Sequence, residues 1–264
     1  MRFIPILAAI VALPATAAAQ DLAELVPGTY ANTEQVYFQG EAGEPQDRWI
    51  SLRFNTGDDG SMRLHSIDSF GQPLYGAEGQ PVTIEARGEL TALTAGDCTR
   101  LMRPGGEDFV LAGSEGDCDD LPVRMERVSA AGMTFSWPDG RMMEMRRARP
   151  VSCWISVRKT EPVAEGESEW TFDAGLMMHD QGGRIRAGGG DSGAPVAIIR
   201  MRNVIWPPPT RNRPSLVLYV HTEDEPNRAV SYSWADPGAN RIGINLRWMQ
   251  ASCTVQQTEE GPDA

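Results

Sequence analysis

Apolar and polar residues alternate in short runs along most of the chain, and sustained helical spacing is absent. Ile50, Leu52 and Phe54 alternate with Trp49, Ser51 and Arg53, the period of a strand with one buried face. Gly57-Asp58-Asp59-Gly60 then reads as a turn, and Met62 to Ile67 as the return strand. Thr29 to Phe38 is rich in β-forming residues, and Val82 to Arg87 alternates again. Short strands are expected over Phe109–Leu111, Arg124–Val128, Met133–Trp137 and Met142–Met145, with turns at Pro104-Gly105-Gly106 and Pro138-Asp139-Gly140. Beyond an acidic loop at 160–169 the same texture resumes over Trp170–Met178, Val196–Ile205, Leu216–His221, Val230–Trp234 and Ile242–Met249. In the last run Ile242, Ile244, Leu246 and Trp248 share one face, and Gly243, Asn245, Arg247 and Met249 the other. Only Asp21–Leu25 has a short helical spacing. Strands separated by turns every ~8–12 residues predict an all-β, antiparallel sandwich or barrel.

The N-terminus follows another pattern. Arg2 precedes an apolar run from Ile4 to Leu13, Pro14 breaks it, and Ala17-Ala18-Ala19 supplies small residues. These features predict a secretory signal peptide over residues 1–19, with the mature chain starting at Gln20. No cysteine follows the apolar run and no later segment is long and apolar enough to span a bilayer, so export to the periplasm without a transmembrane anchor is expected. The formal net charge of −12 disfavours a nucleic-acid partner. Lys159 is the only lysine, which confines Schiff-base chemistry to one position.

Four cysteines in an exported chain imply two disulfides. Of the three pairings, Cys98–Cys118 with Cys153–Cys253 is preferred, because each bridge closes one half of the chain. The halves are taken as a β-barrel region over 20–150 and a second, disulfide-closed β region over 151–264. The cysteine spacings do not suit a zinc ribbon, and there is no C-x-x-C redox pair.

Few segments carry chemistry. Gly190-Asp191-Ser192-Gly193-Ala194-Pro195 resembles the nucleophile turn of chymotrypsin-type proteases. No histidine lies in the setting that family requires, so a glycine-rich connection is expected and Ser192 has no hydrolytic role. His65, His179 and His221 are widely spaced, and the Asp58-Asp59 and Asp119-Asp120 pairs lack the spacing of a calcium loop; neither set is read as a metal site. Met142, Met143 and Met145 beside Arg141, Arg146, Arg147 and Arg149 read as an edge strand in preference to an anion-tolerant binding surface, and Trp206-Pro207-Pro208-Pro209 as a stiff connector.

Gly28, Tyr30, Asn32 and Gln35 form a Gly-x-aromatic-x-Asn-x-x-Gln pattern. Cys98 and Cys118 lie about twenty residues apart around Asp108-Phe109, and Trp137-Pro138-Asp139-Gly140 follows. Over about residues 28–149 this resembles the CpcT/CpeT family of phycobiliprotein lyases and their relatives, which have a calycin, lipocalin-like barrel. The resemblance implies an antiparallel calycin-like barrel, with additional C-terminal strands outside it. The family's Pro-Tyr-Arg-x-Arg strand is replaced by Gln46-Asp47-Arg48-Trp49-Ile50, which leaves lyase chemistry without its usual groups.

The expected function is a non-enzymatic periplasmic binding module that needs no cofactor and holds a small, partly apolar ligand in the barrel mouth. Tyr30, Asn32, Gln35, Arg48 and Trp137 are the expected ligand-binding residues. Tyr30 and Asn32 lie two apart on one strand face, with Glu34 continuing the row toward Arg48 and Gln35 on the other face. An envelope interaction protein and a lyase-like relative are the alternatives. A filled barrel interior favours the interaction protein, and an open aromatic-lined mouth favours the other two.

Overall fold

In the computed structural model the described residues are 15–118 and 124–256. The apolar Ile4–Leu13 run and the Asp119-Asp120 pair therefore lie outside the described residues. Helix α1 (Ala15–Leu25) leads into strand β1 (Gly28–Ala31) and helix α2 (Thr33–Glu41). A meander follows: β2 (Ser51–Thr56), β3 (Met62–Ser66), β4 (Gln80–Arg87), β5 (Leu90–Ala95), β6 (Cys98–Gly105), β7 (Asp108–Gly116), β8 (Arg124–Ser129), β9 (Gly132–Ser136) and β10 (Met142–Ala148). Strand β1 pairs antiparallel with both β2 and β10 and closes these strands into a barrel. Tyr30 thus faces Leu52 on one side and Arg147 on the other.

Eight more strands follow: β11 (Pro150–Val157), β12 (Asp173–His179), β13 (Gln181–Ala187), β14 (Ala197–Val204), β15 (Ser215–Thr222), β16 (Ser231–Ala235), β17 (Arg241–Asn245) and β18 (Met249–Val255). They form two four-stranded sheets, ordered β12-β11-β18-β17 and β13-β14-β15-β16. Val151, Ile155, Val157, Ala251 and Cys253 of the first sheet share one core with Ile185, Ile199, Met201, Leu218 and Val220 of the second. This is a β-sandwich. The bridges are Cys98–Cys118, beside the β6–β7 hairpin, and Cys153–Cys253, inside the sandwich core.

Turn chemistry places the strands as expected. At Gly57–Gly60 the glycine at 60 takes positive φ, and Asp59 accepts the Ser61 N–H at 3.0 Å. Three departures have physical causes. The strand expected over Thr29 to Phe38 stops at Ala31, and α2 replaces its second part. Tertiary bonds override β propensity there: Asn32 accepts the Ile50 N–H at 2.8 Å and donates to the Arg48 carbonyl at 2.9 Å. The run Ile242–Met249 is split, and Met249 opens β18 fully buried although the alternation placed it on the polar face. Strands β5 and β6 occupy a stretch without a clean alternation, where partner strands on both sides set the conformation.

Candidate functional site

The barrel interior is filled. Tyr30, Phe54, Leu93, Met102, Met133, Phe135, Met143 and Met145 are buried in one cluster, joined from the α1 side by Leu22 and Val26. Unbranched methionines fill the irregular space that aromatic rings leave. These side chains pack to a common core.

At one end of the barrel a groove of about 690 Å³ lies between α1 and two hairpin tips. Ala18, Asp21 and Leu25 line it from the helix, and Glu89, Arg103 and Phe109 from the barrel. Its volume is in the range of small-molecule pockets. Helix α1 holds this wall because Leu22, on the same face as Ala18 and Leu25, is buried in the barrel core.

The five residues expected at the ligand are not gathered at this groove. Tyr30 lies in the core; its hydroxyl donates to the Val26 carbonyl at 3.0 Å and accepts from Arg147 at 2.9 Å. Burial raises the Tyr30 pKa, and the neighbouring Arg147 partly offsets the rise. Asn32 is fully buried, with its amide committed to Arg48 and Ile50 backbone. Gln35 sits on α2, where it donates to the Met142 carbonyl and accepts the Glu144 N–H. Arg48 is exposed and donates to the Tyr75 hydroxyl at 3.1 Å. Trp137 packs against the barrel core near the turn into β10, with the Arg141 guanidinium 5.8 Å from its ring centre. Its buried indole N–H has no partner among the described residues. Asn32 meets Arg48 and Gln35 meets the β10 backbone, but the five do not converge.

The expected row from Tyr30 through Glu34 to Arg48 does not form, because Glu34 is helical and turns to the sandwich instead. It forms a bidentate ion pair with Arg202 of β14, at 2.7 and 3.0 Å, and both side chains are buried. The Arg202 guanidinium also stacks on Tyr37, 3.7 Å from the ring centre. Burial pulls the Arg202 pKa down, but the Glu34 contact more than compensates, and the net shift is upward. Thr33 donates to the Gln181 carbonyl at 2.9 Å and accepts the Trp49 indole N–H. Gly182 must be glycine here: it has positive φ, and a Cβ would meet Thr33 at 2.7 Å. On the same seam Arg149 pairs with buried Asp180 at 2.6 Å, and Arg146 donates to the Asn203 carbonyl.

These seam residues carried little local signal. Glu34 and Arg202 are separated by 168 positions. Asp47 escaped notice too, although it accepts from Gln35 and Gln39 and pairs with Arg141 while buried. One available clue was Arg200-Met201-Arg202, two arginines at alternate positions of an apolar strand. Ser192 lies in a short 3-10 turn, where its hydroxyl donates to the Gly189 carbonyl at 2.7 Å and accepts the Ala194 N–H. Among the described residues no group of three or more His, Cys, Asp or Glu side chains is placed to hold a metal. Among them, no helix is long and apolar enough to cross a membrane. Compared with family models, curated proteins and solved structures, the chain matches none.

Proposed function

We propose that the protein is a non-enzymatic binding module of the bacterial cell envelope, exported to the periplasm, with a filled barrel as scaffold and its ligand in the groove at the barrel mouth. The observation that carries this reading is the groove itself, set between α1 and the tips at Glu89 and Arg103. Leu25 and Phe109 offer apolar contact, and Asp21, Glu89 and Glu107 outnumber Arg103 around it. This lining suits a small, partly apolar ligand whose polar end donates hydrogen bonds or carries positive charge. The CpcT/CpeT likeness belongs to this proposal as a statement about the barrel half only.

Export bears on the groove. The proposed cleavage after Ala19 falls within α1, and Ala18 lines the groove. Removal of residues 1–19 takes that wall residue away and widens the opening. Mass analysis of protein from the periplasm should give a chain beginning at Gln20.

The binding test uses the neutral fluorophore N-phenyl-1-naphthylamine. The mature protein should enhance its emission, and Glu107→Trp, at an exposed hairpin tip beside the groove, should weaken binding about tenfold by covering it. An unaltered response in Glu107→Trp would remove the groove from the account. A second reading, an envelope interaction protein, is favoured by the filled interior. A specific complex in envelope extracts, with no fluorophore response, would select it.

A further inference from the structure

The face of the β13-β14-β15-β16 sheet turned away from the sandwich core meets the barrel through Arg202 and carries further polar groups that this contact does not explain. On β14, Ala197, Ile199 and Met201 enter the core, so alternation sends Ile198, Arg200 and Arg202 to the opposite face. On β15, Leu216, Leu218 and Val220 enter, and Val217, Tyr219 and His221 face out. Strand register then sets Arg184, Arg200, Tyr219 and Tyr232 opposite one another in a single row across all four strands. At roughly 4.8 Å per strand this row is about 14 Å long. His221 lies one step along, opposite Ile198.

Among the described residues, Arg184 and Arg200 of this row form no ion pair. Arg202 is held by Glu34, and Arg186 lies 3.5 Å from Glu223. Arg184 gives one N–H to the Pro226 carbonyl at 3.0 Å and meets no carboxylate among the described residues. Arg200 has no hydrogen-bond or carboxylate partner among them, and its Nε is buried. His221 is 3% exposed, and neither ring nitrogen has a close hydrogen-bond partner among the described residues. Burial lowers Arg200 to about 10, with Arg202 and Arg184 adding to the fall and Glu34 and Tyr219 opposing it. Burial lowers His221 to about 4, with Arg184 and Arg200 adding to the fall and the Arg228 backbone opposing it. A water can meet an orphaned donor, but it does not offset two guanidinium charges side by side.

Along the same row the chemistry turns aromatic. The Tyr219 and Tyr232 rings lie 6.3 Å apart, and the Tyr232 and Trp234 rings 5.9 Å apart. Tyr232 is 58% and Trp234 70% exposed, so buried orphaned polar groups at one end give way to open rings at the other. We infer that this face binds an aryl oxyanion, with its carboxylate or phosphate between Arg200 and His221 and its ring over Tyr219 toward Tyr232. Guanidinium forks match planar carboxylate and phosphate oxygens, and stacked rings supply the apolar contact. The site is separate from the barrel groove, and neither depends on the other.

Isothermal titration of the full chain with benzoate, phenyl phosphate and inorganic phosphate tests the inference. The better of the two aryl anions should bind about tenfold more tightly than inorganic phosphate, and the ranking of the two identifies the oxyanion. Arg200→Gln should weaken binding of the better aryl anion about tenfold. Tyr232→Ala, an exposed position, should remove the preference for the aryl group and leave inorganic phosphate unchanged. Arg186→Gln, already near Glu223, should change little. Should Arg200→Gln fail to fold, Tyr232→Ala decides the matter alone. No heat with any of the three anions at millimolar concentration, equal affinity for aryl and inorganic anions, or binding indifferent to Arg200→Gln in a folded variant would overturn it.

Discussion

The barrel and the sandwich solve the same problem with different means. The barrel closes on itself, so every strand from β1 to β10 has two partners, and its interior is filled by methionine and aromatic side chains. The sandwich has open edges at β12, β17, β13 and β16, and packs mainly small aliphatic residues around a buried disulfide. Hydrogen bonding around a ring closes one half, with a short-loop bridge at its β6–β7 hairpin; a long-range cross-link between β11 and β18 supports the other. The proposed sites follow this division. In the barrel the candidate groove lies at the mouth, whereas in the sandwich a sheet face carries a row of side chains.

The largest expected effect separates the two halves. Removing the sandwich bridge with Cys153→Ala and Cys253→Ala deletes a cross-link of sequence separation 100. A loop of that length implies a loss of about 5 kcal/mol on the chain-entropy model, measurable by urea unfolding. The barrel should keep its own transition under these conditions. Loss of both together would show that the halves unfold as one unit.

Next comes the seam. Arg202→Met leaves Glu34 buried without its partner, which should cost about 4 kcal/mol. Adding Glu34→Leu should recover most of that loss, since the uncompensated charge is the main penalty. A double variant no more stable than Arg202→Met would mean that packing of Arg202 on Tyr37, not charge, holds the seam.

A pH effect of similar or smaller size is expected from His179. It is buried beside β13, and burial, with Arg53 adding to it, holds its pKa at about 4 against an ordinary 6.5. The unfolded chain therefore takes up a proton at higher pH than the folded chain. Stability is fully present above the unfolded value and falls as pH drops from about 6.5 to 4, by roughly 3 kcal/mol in total. In His179→Gln this part of the pH dependence should vanish, as equilibrium unfolding at several pH values would show. The smallest effect belongs to the barrel bridge. Cys98→Ala with Cys118→Ala opens a short loop beside the β6–β7 hairpin, and the already closed strand ring should limit the loss to roughly 1–3 kcal/mol.

Local pattern made much of this architecture legible. Alternation located β2, β4, β14, β15 and the start of β17, and the Gly57–Gly60 turn marked the end of β2, because a half-buried strand writes its two faces into the sequence. The cysteine pairing was legible because each bridge closes one half of the chain. Helix α2 was not. Thr33, Val36, Tyr37 and Phe38 favour strands locally, and the helix forms because Glu34 and Thr33 find partners on β13 and β14. For the same reason the expected site residues do not gather at one place: the Tyr30–Asn32–Gln35 motif marks how the barrel is closed and pinned to α2, and its polar groups are met internally. The groove depends on how α1 lies across two hairpin tips, and the Arg200 row on the register of four strands. Neither leaves a short motif.

The central claim is that the filled barrel carries a ligand at its mouth. Native mass spectrometry of the protein purified from its periplasm tests it most directly. A non-covalently bound small molecule should accompany the chain beginning at Gln20, and Glu107→Trp should release it. A wild-type protein carrying no such mass, or one that Glu107→Trp leaves fully occupied, would contradict the account.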